Sequence, residues 1–289
     1  MQVIDINNEY YPDTLRDIKN PPKELYILGD ISLLSEKSIA IVGSRKCTEY
    51  GRKQGTRFAY NLSKEGLVIV SGMAIGIDTS AHVGALEAEG KTIAVLGTGF
   101  NNIYPPENKK LFERILDNQG TIITEYPPDI ERAPDNFRKR NRIVSGLSMG
   151  VLVVEAAQKS GTGITVDYAR EQGKPIFCIP NSLENKKGEG TNRLLKRDGI
   201  LVTDANDIFE YYNMKKIKQI SIDEIEKKVE VEVKPEYKKV YKIIQNGPMH
   251  INQISKESGI SISELNSLLL MMELEGLITN KAGNNYEVI

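Results

Sequence analysis

The sequence predicts an α/β fold: a doubly wound parallel sheet, followed by a small helical module that closes with a β-hairpin. Three observations carry this. Short β-branched runs recur from Ile39 to Ile179, stretches of helical length separate them, and after Pro235 the pattern changes to short helices and a hairpin. Val- and Ile-rich strands alternating with helices imply a parallel sheet covered on both faces.

The elements follow in order. Residues 1–37 are punctuated by Pro12, Pro21 and Pro22 around a short apolar stretch, Leu25–Leu28, and read as an irregular arm packed on the main domain. The main domain spans residues 38–212. Its strands are expected at Ile39–Val42, Leu67–Val70, Thr92–Leu96, Thr121–Thr124, Val151–Val154 and Pro175–Ile179. In the intervening Gly51–Lys64, Phe58, Ala59 and Leu62 fall on one helical face. Residues 213–235, rich in Lys and Glu, read as a linker. In the module 236–289, a helix over Glu236–Gln245 breaks at Asn246-Gly247-Pro248. Ile251–Ser258 forms a second helix closed by Gly259. The Ser261-x-x-Glu264 capping box opens a third, running to Glu275 and ended by Gly276. Leu277–Thr279 and Tyr286–Ile289 pair across a Gly-Asn-Asn turn, which makes the unit a winged helix-turn-helix.

Composition narrows the classes. No apolar run approaches the ~20 residues of a membrane span. Met1–Asp13 has neither the basic start nor the apolar stretch of a secretory signal. Cys47 and Cys178 are too few for a disulfide framework, so a reducing cytoplasm is the expected compartment. The formal charge is −1, with 38 Lys+Arg against 39 Asp+Glu. That balance argues against a nucleic-acid binder, which usually carries excess positive charge.

In an open parallel sheet, ligands bind beyond the carboxyl ends of the strands. Four glycine-containing turns fall there: Gly43-Ser44-Arg45, Ser71-Gly72 through Gly76 to Asp78, Gly97-Thr98-Gly99, and Ser160-Gly161-Thr162-Gly163. Glycine lets backbone amides approach a phosphate, and helices starting near Asp78 and Thr162 would aim their positive ends at the same place. The dinucleotide fingerprint is absent, because Gly43 lacks the two following glycines. Gly90-Lys91-Thr92 imitates the end of a P-loop, but it precedes a strand where a P-loop follows one.

Asp135–Arg142 contains Phe137, Arg138, Lys139, Arg140, Asn141 and Arg142. Read as a helix, Arg138 and Arg142 share a face. Cations to neutralise phosphates beside a flat ring for a base match single-strand binding.

Tyr11-Pro12, Gly43-Ser44-Arg45, Ser71 to Asp78, Ala81-His82, Ala94 to Gly97, Tyr104-Pro105, Asn136-Phe137, Arg140-Asn141-Arg142, Ser145 to Ser148 and Val154-Glu155-Ala156 appear in this order. The series resembles the DNA-processing protein A family (DprA, also called Smf) over roughly residues 10–212. The resemblance implies an extended Rossmann-like domain, in many members with a C-terminal winged helix. It also implies single-stranded DNA binding, a homodimer and loading of the RecA recombinase during natural transformation. By that resemblance, Arg45 and Phe137–Arg142 are the leading DNA-contact candidates, with Gly43, Ser44, Ser71, Gly72, Gly76, Ser160, Gly161 and Thr162 lining the pocket. No catalytic residue, cofactor, metal or membrane is expected.

Other residues admit two readings. His82 follows Asp78 by four, and a structural pair is favoured over a catalytic one. Glu155 could hydrogen-bond a ribose or base, or cap a neighbouring helix. His250 reads as a surface or hinge residue, and both cysteines as packing. A rival function is a phosphoribohydrolase-like enzyme with Glu155 or Asp78 as the catalytic carboxylate and Ser160–Gly163 holding a monophosphate. The third helix of the winged unit contains no Lys or Arg, which favours a protein-contact or structural role over duplex reading.

Overall fold

The computed structural model describes all residues except 159, 216–218, 223, 226–233, 246, 275–276, 282 and 289. It divides into two compact units, Met1–Ile222 and Asp223–Ile289. The boundary lies inside the stretch read as a linker, part of which falls outside the described residues.

The larger unit is built on a nine-stranded sheet: β1 (Gln2–Asp5), β2 (Glu24–Gly29), β3 (Ser38–Val42), β4 (Val68–Ser71), β5 (Thr92–Val95), β6 (Thr121–Thr124), β7 (Gly150–Val153), β8 (Ile176–Cys178) and β9 (Ile200–Leu201). The spatial order is β1-β2-β6-β5-β4-β3-β7-β8-β9. From β6 to β9 every pairing is parallel. The chain winds outward from β3 to β6, then crosses back to place β7 on the other side of β3. The switch point therefore lies between β3 and β7, where open α/β sheets form their ligand crevice.

Residues 1–37 differ from the irregular arm expected. β1 pairs antiparallel with β2, and β2 pairs antiparallel with β6, so the segment extends the sheet. In β2, Leu25 and Ile27 alternate inward while their neighbours are half-buried or exposed. The flanking prolines sit outside the strand and obscure this two-residue period.

Helices cover both faces: α1 (Asp13–Arg16), α2 (Glu49–Lys64), α3 (Ile77–Glu87), α4 (Lys109–Asp117), α5 (Pro134–Leu147), α6 (Thr162–Glu171), α7 (Glu189–Arg197) and α8 (Ala205–Tyr211). Strand alternation assigns the layers. Ile39 and Ile41 pack with Phe58, Ala59 and Leu62 of α2 and with Ile77 and Ala81 of α3. Ala40 and Val42 pack on the opposite face with Ile143, Val144 and Leu147 of α5. Each fully buried side chain of this size contributes about 1.5–3 kcal/mol relative to exposure.

The smaller unit contains α9 (Lys238–Ile244), β10 (Met249–His250), α10 (Ile251–Ser258), α11 (Ile262–Leu274), β11 (Ile278–Lys281) and β12 (Asn285–Val288). Its antiparallel sheet has the order β10-β12-β11. Leu265, Leu269 and Met272, at i, i+4 and i+7 of α11, bury against Val240, Ile244 and Ile254. This is a winged helix. Gly259 ends α10 in the left-handed region at φ 68°, and the Glu264 amide donates to Ser261 Oγ, completing half of the capping box. His250, read as a hinge residue, is the N-cap of α10: its Nδ1 accepts from the Asn252 amide at 3.2 Å. The expected helix stop at Glu275–Gly276 and the break at Asn246 lie outside the described residues.

Candidate functional site

A crevice of about 1260 Å³ opens over the carboxyl ends of β3, β4 and β7. Of the predicted residues, Gly43, Ser44, Arg45, Gly72, Phe137, Arg138, Arg140, Asn141, Ser160, Gly161 and Thr162 line it. Ser71, Gly76, Lys139 and Arg142 do not.

The floor is a set of exit turns tied to one another. The Ser44 amide donates to the Glu155 carbonyl at 2.7 Å, and the Ile77 amide to the Ser44 carbonyl at 3.2 Å. Gly76 permits this approach: it sits at φ 85°, and a Cβ there would lie 2.3 Å from the Ser44 carbonyl oxygen. Ser71 is fully buried and its hydroxyl donates to the Ile41 carbonyl at 2.6 Å, so it ties β4 to β3 and leaves the ligand space to others.

One wall is α5, and its register explains which arginines do what. Arg140 falls on the inward stripe with Ile143, Val144 and Leu147. Its side chain is only 3% exposed, and Nη1 donates to the carbonyls of Gly72, at 2.7 Å, and of Val95. Burial pushes its pKa down to about 10, with Asp78 opposing the shift, so it stays charged at neutral pH. The sequence suggested Arg142 as a phosphate ligand; in the structure its guanidinium is instead taken up by protein acceptors. It forms a two-pronged ion pair with Glu125, at 2.7 and 2.6 Å, and donates to the carbonyls of Asn20 and Lys139. Arg138 and Arg142 diverge although they are one helical turn apart: Arg138 faces the crevice, whereas Arg142 and Lys139 line a separate hollow of about 390 Å³.

Above the floor stands a ladder of rings and guanidinium groups. Arg45 lies 5.8 Å from the Phe137 ring centre, and Arg140 lies 6.0 Å from it. Tyr104 packs on Phe137 at 5.5 Å, tilted by 53°, and Arg132 sits 5.2 Å over Tyr104. These are cation–π distances. Gly97 makes room for Phe137, since a Cβ there would lie 2.7 Å from its ring. Sequence reasoning missed Tyr104, Arg132, Lys46 and Lys187, all lining the crevice. Tyr104-Pro105 was a visible motif, but only the fold brings it beside Phe137.

The opposite wall is the start of α6. Gly161 is its N-cap and provides no side-chain acceptor, Ser160 Oγ is buried without a partner, and Thr162 is 6% exposed. The Gly163 and Ile164 amides already donate to the carbonyls of Ser160 and Gly161, both at 3.2 Å, so what this helix start offers an anion is its positive dipole end and the Ser160 hydroxyl. Among the described residues, six cationic side chains line the crevice against one carboxylate, Asp78, so the site is locally positive although the chain carries −1.

The two carboxylates weighed for catalysis have structural partners. Glu155 is fully buried and does not line the crevice. One oxygen accepts from the Thr48 amide at 2.9 Å, the other from the Thr48 hydroxyl and from Asn185 at 3.3 Å. Thr48 in turn caps α2. Asp78 accepts from the Ala74 amide at 3.3 Å, and burial holds its pKa above the usual carboxylate range. His82 is bonded elsewhere: Nδ1 meets Thr92 Oγ1 at 2.7 Å, and that hydroxyl donates to the Ile69 carbonyl. The single hydroxyl hydrogen is thereby used, so His82 Nδ1 is the donor. Burial drives its pKa down to about 3, which keeps the ring neutral. Cys47 and Cys178 are free thiols, and burial raises Cys178 to about 12. Among the described residues, no group of three or more His, Cys, Asp and Glu side chains could hold a metal ion. No described helix is long and apolar enough to cross a membrane.

A Rossmann-like sheet with an arginine- and ring-lined crevice at its switch point, followed in the chain by a winged helix, defines a class of α/β protein with an appended helical module. Comparison with known proteins narrows the class. The chain belongs to the DNA recombination-mediator protein A family, which matches residues 2–213, and residues 226–284 match the DprA winged helix domain. Protein Smf of Escherichia coli is 41% identical over 208 residues, covering 72% of this chain and 56% of that protein, so the match spans little more than half of that relative. The DNA processing protein DprA of Bacillus subtilis is 39% identical over 211 residues, covering 73% of this chain and 71% of that protein. The crystal structure of DprA from Streptococcus pneumoniae superposes with a TM-score of 0.70 at 38% identity, covering 75% of each chain. A Helicobacter pylori DprA structure, described for its single-stranded DNA binding mode, gives 0.66 at 33% identity over 73% of this chain and 96% of that one.

Proposed function

We propose that this protein is a recombination mediator that binds single-stranded DNA in the crevice and passes it to a RecA-type recombinase. It acts in the cytoplasm, as a homodimer, and carries out no chemistry on the strand. The observation that carries the reading is the Arg45–Phe137–Tyr104–Arg132 ladder in a locally cationic crevice. Phe137 holds a base, Arg45 and Arg138 neutralise phosphates, and the positive end of α6 with the Ser160 hydroxyl attracts another phosphate oxygen. Arg140 charges the floor while pinning α5 to the turn after β4 and to the end of β5. A homodimer sets two such sites on one strand and gains affinity through effective concentration. The H. pylori relative supports the choice of strand.

The rival reading, a nucleotide-processing enzyme, requires a carboxylate free to act on substrate. Glu155 has both oxygens engaged away from the crevice, and Asp78 is held by the amide of its own turn. The test titrates oligonucleotides of increasing length at two salt concentrations, with wild type, Arg45→Ala and Phe137→Ala. Affinity is expected to rise with length and to fall in both variants. Length-independent binding unaffected by either substitution, or release of a base from a nucleoside monophosphate, overturns the proposal.

A further inference from the structure

We infer that Tyr104 and Arg132 form a second base-holding station in the crevice, which takes the nucleotide adjacent to the one held at Phe137. This rests on the reading of the crevice as a single-strand site.

The geometry asks for two stations. Tyr104 and Phe137 are close, but their planes are inclined by 53°. Rings so inclined cannot sandwich one flat base, and each offers its own face. The crevice volume of about 1260 Å³ exceeds the roughly 300–1,000 Å³ of ordinary small-ligand pockets, which leaves room for more than one nucleotide. Tyr104 is half-buried, so its ring is held by the protein on one side and open on another.

The station is pre-built. Tyr104 and Arg132 stand at the ends of two loops that are fastened together. The amides of Gly99 and Asn101 donate to the carbonyls of Ile130 and Pro128 at 2.8 and 2.9 Å, and the Asn102 side chain donates to the Asp129 carbonyl at 2.9 Å. A Cβ at Gly99 would lie 2.2 Å from two carbonyl oxygens of the facing loop, so the loops touch backbone to backbone. The loop backbones that carry the ring and the guanidinium are thus held together, while the exposed Arg132 side chain keeps its own rotamer freedom.

Arg132 is exposed and its guanidinium covers the Tyr104 ring, marking a face that accepts a planar group. An arriving base takes that face, and the long Arg132 side chain turns to the phosphate beside it. Every base has a flat π-face, so the station selects single strands without selecting sequence.

The chain contains no tryptophan, so Tyr104→Trp places a sole reporter in the station. Its emission is expected to change saturably with added oligothymidylate. Tyr104→Ala should weaken binding by about 5- to 100-fold, a single stacked base's share, while Tyr104→Phe keeps near wild-type affinity. Arg132→Ala should lower the slope of log affinity against log salt by about 0.7, one phosphate on a single strand. Thermal melting of each variant confirms the fold. The inference is overturned if the Tyr104→Trp variant binds normally with unchanged emission, or if Tyr104→Ala binds like wild type while Phe137→Ala is weakened. In either case the strand passes Phe137 without touching Tyr104, and the proposed function stands. Absence of oligonucleotide binding by wild type overturns both.

Discussion

Replacing Arg142 with alanine separates a structural arginine from those proposed to contact DNA. In sequence the two kinds look alike, as Arg138, Arg140 and Arg142 sit within one and a half helical turns. In the fold, Arg142 and Glu125 have side chains only 11% and 16% exposed, joined by two short hydrogen bonds. The same guanidinium serves the Asn20 and Lys139 carbonyls. Truncation leaves a partly buried carboxylate and two carbonyls without their donor. Removing one partner of such a pair costs about 3–5 kcal/mol. For a unit the size of Met1–Ile222, each kcal/mol corresponds to roughly 2–4 °C, so the melting temperature should fall by about 6–20 °C. The assay is thermal and urea unfolding of the full chain, with oligonucleotide affinity measured well below the transition. Arg142→Ala should melt early yet bind oligonucleotide like wild type, whereas Arg45→Ala should melt normally and bind weakly. A double variant, Arg142→Met with Glu125→Leu, should recover much of the loss, because no charge is then stranded. If Arg142→Ala melts within about 2 °C of wild type, which is about 0.5–1 kcal/mol, and loses DNA affinity, the assignment is wrong.

Three further outcomes follow from the same geometry. Gly97→Ala places a methyl 2.7 Å from the Phe137 ring and should reduce oligonucleotide affinity by displacing it, with little change in melting, as competition binding can check. Burial lowers the pKa of His82 from 6.5 to about 3, so its contribution to stability is full above pH 6.5 and is lost as pH falls toward 3. Unfolding free energy should therefore drop by up to about 1.4 kcal/mol per pH unit in that window. His82→Asn, which keeps a donor for Thr92 but cannot titrate, should show less acid sensitivity in urea titrations. Finally, Arg140 is committed to carbonyls, which leaves five of the six crevice cations for phosphates. At about 0.7 per phosphate the salt slope should be no steeper than about −3.5 for each crevice engaged, or about −7 for a homodimer seating both on one strand, and a steeper one would require contacts outside the crevices.

The parallel sheet was legible because its strands are short, β-branched and spaced by helical periods, and the capping box and Gly259 marked the winged helix. β1 and β2 were obscured because Pro12, Pro21 and Pro22 lie between them and because β6, the partner of β2, lies about a hundred residues away. Arg45 could be found as a type in the right turn, and Phe137 as a type in the right helix. The division among the arginines could not, since it depends on Glu125 and Asn20, which no local pattern connects to α5. A signal was nevertheless present: Arg140 stands three residues before Ile143 and four before Val144, on the stripe that must face the sheet. Glu155 illustrates the reverse case, a polar residue at the expected edge whose partner, Thr48, turns it to capping.

The backbone links that run from Glu155 to Ser44 and on to Ile77 join the turns after β7, β3 and β4 into one unit. A surface fastened in this way cannot mould itself to what it receives, so the loss of conformational freedom on association falls on the flexible strand. Calorimetry would then register the ordering of the nucleic acid almost alone: an unfavourable entropy that grows with each nucleotide seated, while the protein's own amide-exchange rates in these turns barely change. A strand already held extended, by tension or by a neighbouring protein, would bind more tightly than a slack one, and the fold itself would favour DNA that has been drawn out straight.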